Sequence, residues 1–87
     1  MAALTFEWDE ANMEHISRHD YSPEEVEEIF VGRHKIRRSR SGTYVALGRT
    51  LDGRMTLVVY LRLPGRTIRV VTARDMNDWE RRMYDRK

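Results

Sequence analysis

Fourteen of the sixteen basic side chains in this sequence are arginine, and only Lys35 and Lys87 are lysine. A guanidinium is a planar fork of N–H donors that grips phosphate through paired bonds, whereas a surface built for solubility would use lysine as readily. The charge is unevenly placed. Residues 1–30 hold nine acids and the single base Arg18, a charge of −8, while residues 31–87 hold fifteen bases against five acids, a charge of +10. A basic stretch beside an acidic one fits a nucleic-acid surface next to a surface for something else. A solvated arginine-rich exterior fits the same count equally. The densest run is Arg33, Lys35, Arg37, Arg38 and Arg40. Strand alternation would put Arg33, Lys35 and Arg37 on one side, either as a backbone-binding rim or as a charged edge strand kept from aggregating.

His15 and His19 stand four apart, so both imidazoles share one side of a helix. The glutamate of a metalloprotease motif is missing between them and the chain has no cysteine, so no metal site and no cofactor are expected. A histidine at a helix end usually bonds the last carbonyls, and a general acid or base role for His19 stays open because its ordinary pKa of about 6.5 suits the task. The absence of cysteine also excludes disulfides and thiolate nucleophiles.

These side chains must be carried by few elements. With 87 residues and a hydrophobic fraction of 40%, residues 1–87 make one domain with one small core. No apolar run approaches the roughly 18 residues of a membrane span, so no membrane partner is expected. Met1 to Leu4 lack the blocks of a secretory signal, which leaves the cytoplasm as the expected compartment.

Phe6-Glu7-Trp8 reads as a short edge strand, and Asp9 as the cap of a helix through about His19 with Met13 and Ile16 inward. A second helix has the fullest local signal: Ser22 as cap, Pro23 at the first position and Glu25 closing a capping box. Tyr21 and Val26 form a hydrophobic staple there, Val26, Ile29 and Phe30 the buried stripe, and Gly32 the stop. Glu24, Glu25, Glu27 and Glu28 read as solvated, with a docking face for a basic partner as the lesser alternative. Four strands then follow at His34 to Arg38, Tyr44 to Thr50, Arg54 to Leu63 and Arg66 to Ala73, with turns at 39–42, Asp52-Gly53 and Pro64-Gly65. Asp75 or Asn77 caps a last helix with Met76, Trp79 and Met83 on one face, which core packing explains better than a stacking platform. The fold class expected is α+β: a short N-terminal strand, two helices, an antiparallel meander of three to four strands and a C-terminal helix.

If both glycine turns hold two residues, Leu57 opposes Gly48, Val59 opposes Ala46 and Val70, and Leu61 opposes Tyr44 and Ile68. One face then carries Tyr44, Ala46, Leu57, Val59, Leu61, Ile68 and Val70 against the N-terminal helices. The other carries Val45, Leu47, Val58 and Val71 among Arg49, Tyr60, Arg62 and Arg69. An apolar floor set with arginines and a tyrosine is the expected look of a half-covered phosphate cleft. The alternative is that the last helix covers the valines while the arginines reach to water.

Phe6-Glu7-Trp8-Asp9, His15-Ile16-Ser17-Arg18-His19 and Ser22 to Glu28 resemble the opening of the BrnT-type toxins. Tyr44 to Thr50 with Asp52-Gly53-Arg54 is similar to that family's central hairpin, and Arg69 to Met76 with Glu80-Arg81-Arg82 and Tyr84 to its C-terminal signature. The chain departs from the family pattern at Asp20-Tyr21 and at His15. The resemblance implies a fold like that of the RelE and ParE toxins. It also implies a ribonuclease that halts translation and a cognate antitoxin of ribbon-helix-helix type, in a homodimer or a toxin–antitoxin heterotetramer.

Metal-free RNA cleavage needs a base for the 2′-hydroxyl, cations for the phosphorane and an acid for the leaving oxygen. The candidates are Arg49, Arg69 and Arg74 as cations converging on one open face, Glu80 and Tyr84 as a carboxylate and phenol four apart on one helix, and His19. Arg74 could instead be spent in a salt bridge with Asp75, Asp78 or Glu80. Candidate RNA contacts are Arg37, Arg38, Arg40, Tyr60, Arg62 and Arg81. A non-catalytic RNA-binding or regulatory module on the same fold is the rival reading.

Overall fold

The computed structural model describes residues 4–86; residues 1–3, part of the stretch read for an export signal, and Lys87 lie outside the described residues. The chain runs β1 (Thr5–Glu7), α1 (Glu10–Ser17), α2 (Pro23–Val31), β2 (His34–Arg38), β3 (Tyr44–Arg49), β4 (Met55–Leu63), β5 (Thr67–Asp75) and α3 (Asp78–Asp85). The strands make one mixed sheet in the order β1-β5-β4-β3-β2, with β1 parallel to β5 and the other pairs antiparallel. The class is α+β, and the sheet has five strands rather than three to four, because β1 joins the meander.

Each helix starts where a short polar side chain can take up its free N–H groups. Asp9, Ser22 and Asn77 are the caps, and Asn12, Glu25 and Glu80 close the reciprocal box at the third position. In α1 the inward residue beside Ile16 is Asn12, not Met13, which is 38% exposed. The Asn12 amide donates to the Glu7 carbonyl at 2.8 Å and so locks the helix to β1. Asp20 ends the α1 turn in the left-handed region at φ 62, where aspartate is better tolerated than most residues. The acids of α2 are mostly bonded rather than merely solvated. Glu27 accepts from the Trp8 indole at 2.8 Å, and Glu28 from the Leu51 backbone N–H at 2.9 Å.

The register corrects the expected faces. The β3–β4 connection has three residues, Leu51-Asp52-Gly53, closed by Thr50 N–H to Arg54 O at 3.0 Å, with Gly53 at φ +89. The β4–β5 connection is likewise Pro64-Gly65-Arg66, with Gly65 and Arg66 both at positive φ. One extra residue per turn shifts every pairing: Leu47 faces Leu57, Val45 faces Val59, and Tyr60 lies between Tyr44 and Val70. Because side chains alternate with period two, the slip sends Val58, Tyr60 and Arg62 to one face and Leu57, Val59 and Leu61 to the other. Tyr44, Ala46, Ile68 and Val70 stay where the sequence put them.

The first face carries the main core, in which Ile16, Val26, Ile29 and Phe30 pack on Ala46, Val58, Tyr60, Val70 and Ala73. The second face carries α3, through Leu47, Leu57, Met76 and Tyr84. In β5 a bulge breaks the ladder: Tyr60 pairs with Val70 and Val59 with Thr72, so Val71 is the extra residue. At Gly48 α2 lies close against the sheet. A Cβ there would lie 2.7 Å from Ile29 Cγ2 and 3.3 Å from the Ile29 carbonyl oxygen. Gly48→Ala is therefore expected to cost roughly 1–3 kcal/mol through overpacking, read as a fall in the urea midpoint; an unchanged midpoint would refute the close approach.

Candidate nucleic-acid interface

The face bearing α3 is covered at one end and open at the other. Strand cations and the helix ends hold α3 in place. Arg33 Nη2 donates to the Tyr84 carbonyl at 2.8 Å, and Lys35 Nζ donates to the carbonyls of Met83, at 2.7 Å, and Arg86. These are the carbonyls a helix leaves unpaired at its C-terminus, and cations suit them electrostatically. The Tyr84 hydroxyl returns a bond to the Arg33 carbonyl at 3.0 Å. At the other end Arg74 clasps Glu80 with both arms, Nη1 to Oε1 and Nη2 to Oε2, each 2.8 Å.

Between α3 and β2 this leaves a groove of about 400 Å³. Its floor is Val45, Leu47, Leu57 and Val59, and its walls are Arg37 and Arg38 on one side and Arg74, Trp79, Glu80 and Met83 on the other. Register orders this face in rows. Lys35, Leu47, Leu57 and Arg74 lie across the sheet in one row, and Arg37, Val45, Val59 and Thr72 in the next. Arg37 reaches toward α3, with Nη2 3.6 Å from Met83 Sδ.

The expected catalytic residues do not converge as a set. Arg74 and Glu80 meet at the groove. Tyr84 and Arg49 meet under the far end of α3, where Tyr84 is 3% exposed and the Arg49 guanidinium lies 6.0 Å from its ring and 3.9 Å from Asp85. Arg69 is on the same face but is held by Glu7 at 2.9 Å and Asp9 at 2.8 Å. Strand geometry puts Arg49 and Arg69 roughly 20 Å apart at their Cα atoms. Convergence of the three arginines is thus corrected by the register. His19 ends α1 on the opposite side of the sheet, with its carbonyl 3.3 Å from Arg54 Nη2. Among the described residues no cluster of His, Asp and Glu has metal-holding geometry.

Of the candidate RNA contacts, Arg37 and Arg38 line the groove, and Arg40 stands exposed in the turn beyond them. Tyr60 is corrected outright, being 1% exposed in the main core against Tyr44 and Phe30. Arg62 lies on the same helix-bearing side, 4.1 Å over the Tyr44 ring. Arg81 lines a separate cleft beside Gly53, Arg54 and Asp75.

Two residues escaped the sequence reading. Trp79, assigned to core packing, is 60% exposed. It sits at the second position of α3, and the Arg74–Glu80 clasp with the Tyr84 bond sets the roll of the helix so that Tyr84 points inward. The helical spacing of Trp79 and Met83 pointed the other way. Arg54 is a structural hub: it lies 3.8 Å over the Tyr21 ring, 3.0 Å from Asp75, and donates to the Asp20 carbonyl at 2.7 Å. Its place just past the turn glycine gave no sign of this.

The carboxylates of these clasps are held ionised. The Arg74 hydrogen bond keeps Glu80 below the ordinary glutamate value, and the Tyr21 hydroxyl, followed by Arg54, does the same for Asp75. Tyr21 itself is pushed up to about 12, first by burial and then by its bond to Asp75. A lowered carboxylate pKa gives stability that is present above the unfolded value and lost as pH falls through the folded one. In thermal melts, Glu80→Gln should therefore unfold below the parent at pH 7, and the gap should close as pH falls below about 4.3, the ordinary glutamate value. A gap of constant size would deny the clasp its charge.

The family model described as ribonuclease toxin, BrnT, of type II toxin–antitoxin system matches residues 8–80. Neither the search of the curated proteins nor that of the solved structures found a match. The family match runs from the exit of β1 to the Glu80 that walls the groove, and the chain belongs to the BrnT family of type II toxin–antitoxin ribonuclease toxins.

Proposed function

We propose that the chain is a metal-independent endoribonuclease that inhibits translation by cutting RNA laid in the groove between α3 and β2. The observation that carries this is the Arg74–Glu80 pair at the wall of an apolar-floored groove whose other wall is Arg37 and Arg38. Glu80 is ionised at neutral pH and takes the proton of a 2′-hydroxyl. Arg74, bound to that carboxylate, is placed to share its N–H groups with the phosphorane as negative charge builds. Attack by the 2′-oxygen breaks the bond to the 5′-oxygen, which leaves with a proton from solvent. Arg37 and Arg38 hold the flanking phosphates.

A sheet with two helices on one face and one on the other supports reading the fold as a single RelE-like toxin domain. Membership of a type II family implies an antitoxin, which we read as a ribbon-helix-helix protein encoded next door. No helix among the described residues is long and apolar enough to cross a membrane, which fits action in the cytoplasm. The rival, an RNA-binding module without chemistry, is favoured by one observation: Arg69 and Arg74 are both already held by carboxylates.

Single-stranded RNA incubated with the protein in chelator should be cut, and Glu80→Gln or Arg74→Ala should slow cutting by roughly 10²- to 10³-fold. RNA that is bound but stays intact at high protein concentration establishes the module instead. RNA that is neither bound nor cut removes both.

A further inference from the structure

Trp79 is a large apolar side chain left 60% exposed on α3, at a place where nothing in the fold uses it. It lines the groove beside Arg37 and Arg38, and on its other flank a second cleft with Arg82 and Arg86. None of these four arginines forms a salt bridge among the described residues. The helix beneath the indole is fixed at both ends, by the Arg74–Glu80 clasp and by the Arg33 and Lys35 bonds to its last carbonyls. The ring is therefore presented on a rigid support.

We propose that Trp79 is a base-stacking residue, and that the substrate is consequently unpaired RNA with one base lifted onto the indole while its phosphates lie on Arg37 and Arg38. This rests on the groove being the RNA site and adds to it the class of strand it accepts. An exposed aromatic face among cations is the recurring device for holding single strands, since every base offers a π-face and a duplex keeps its own bases stacked. A protein-docking patch would instead join several apolar side chains. The other large exposed apolar residues of the described chain are Leu4, Met13, Val31, Ile36 and Leu51, none of which lines this groove. Among the described residues Trp79 is the one large apolar side chain of this groove that stands exposed, above a covered apolar floor and beside guanidiniums.

Trp8 is the second tryptophan and is half-buried, so Trp8→Phe leaves Trp79 as the sole indole reporter. The probe is a short 2′-O-methylated oligoadenylate, which cannot be cut, alone and annealed to its complement. The single strand should quench Trp79 fluorescence and the duplex should quench it far less. In the otherwise native chain, Trp79→Ala should weaken single-strand binding roughly 5- to 100-fold, and Trp79→Phe should recover most of it. RNA that binds by anisotropy without quenching, and with Trp79→Ala unchanged, overturns the stacking role and leaves the groove reading intact. Loss of antitoxin binding by Trp79→Ala with RNA affinity preserved overturns it in favour of a protein contact. Absence of any RNA binding overturns the groove reading and the stacking role together.

Discussion

The placement of α3 on the sheet is the constraint from which the rest of the site follows. A helix of eight residues has little packing area of its own, and its single fully inward side chain is Tyr84. What fixes it is electrostatic: Arg33 and Lys35 reach from the start of β2 to its closing carbonyls, and Arg74 seizes its first turn through Glu80. Because these anchors sit over one end of the sheet, the other end stays uncovered. The groove is the remainder. Its apolar floor is partly wet because no second helix is available to close it.

Much of the arginine surplus is thus architecture. Arg33 and Arg74 hold α3, Arg69 ties β1 and the α1 cap to β5 through Glu7 and Asp9, and Arg54 gathers Tyr21, Asp75 and the α1–α2 turn. Composition announced a polyanion surface, yet a guanidinium suits a carboxylate or a carbonyl for the same geometric reason that it suits phosphate. The acidic N-terminal third supplies carboxylates for two of these cations, Arg54 and Arg69. Charge divided along the sequence is bridged in space at two points, Arg54 with Glu25 and Arg69 with Glu7 and Asp9. Among the described cations without carboxylates are Lys35, Arg37 and Arg38 on β2 and Arg82 and Arg86 at the end of α3.

How much could be read beforehand depended on the range of the interaction. Caps, staple and the bounds of β2 are local, written in residues three or four apart, and Asp9, Ser22, Pro23, Glu25 and His34 to Arg38 all stand as the sequence placed them. Register is not local. Asp52-Gly53 marks a turn, but whether it spans two or three residues depends on Thr50 bonding Arg54, and that single residue decided the face of Tyr60 and Leu57. The site divided along the same line. Sequence narrowed the partner of Arg74 to Asp75, Asp78 or Glu80, of which the fold takes Glu80, whereas Trp79 was misplaced, since its exposure follows from the roll of α3 and hence from Arg33 and Tyr84.

The surplus residue of β5 reaches further than its own kink. Arg69 and Arg74 are five positions apart, an odd interval that strict alternation would send to opposite sides of the sheet. Val71 absorbs one step, so Arg69 beside Leu61 and Arg74 beside Leu57 emerge on the same side. The strand works as a phase shifter: before the extra residue the even positions Ile68 and Val70 face the main core, and after it the odd position Ala73 does. The count of residues in β5, as much as their identity, determines which chemistry the open surface can display.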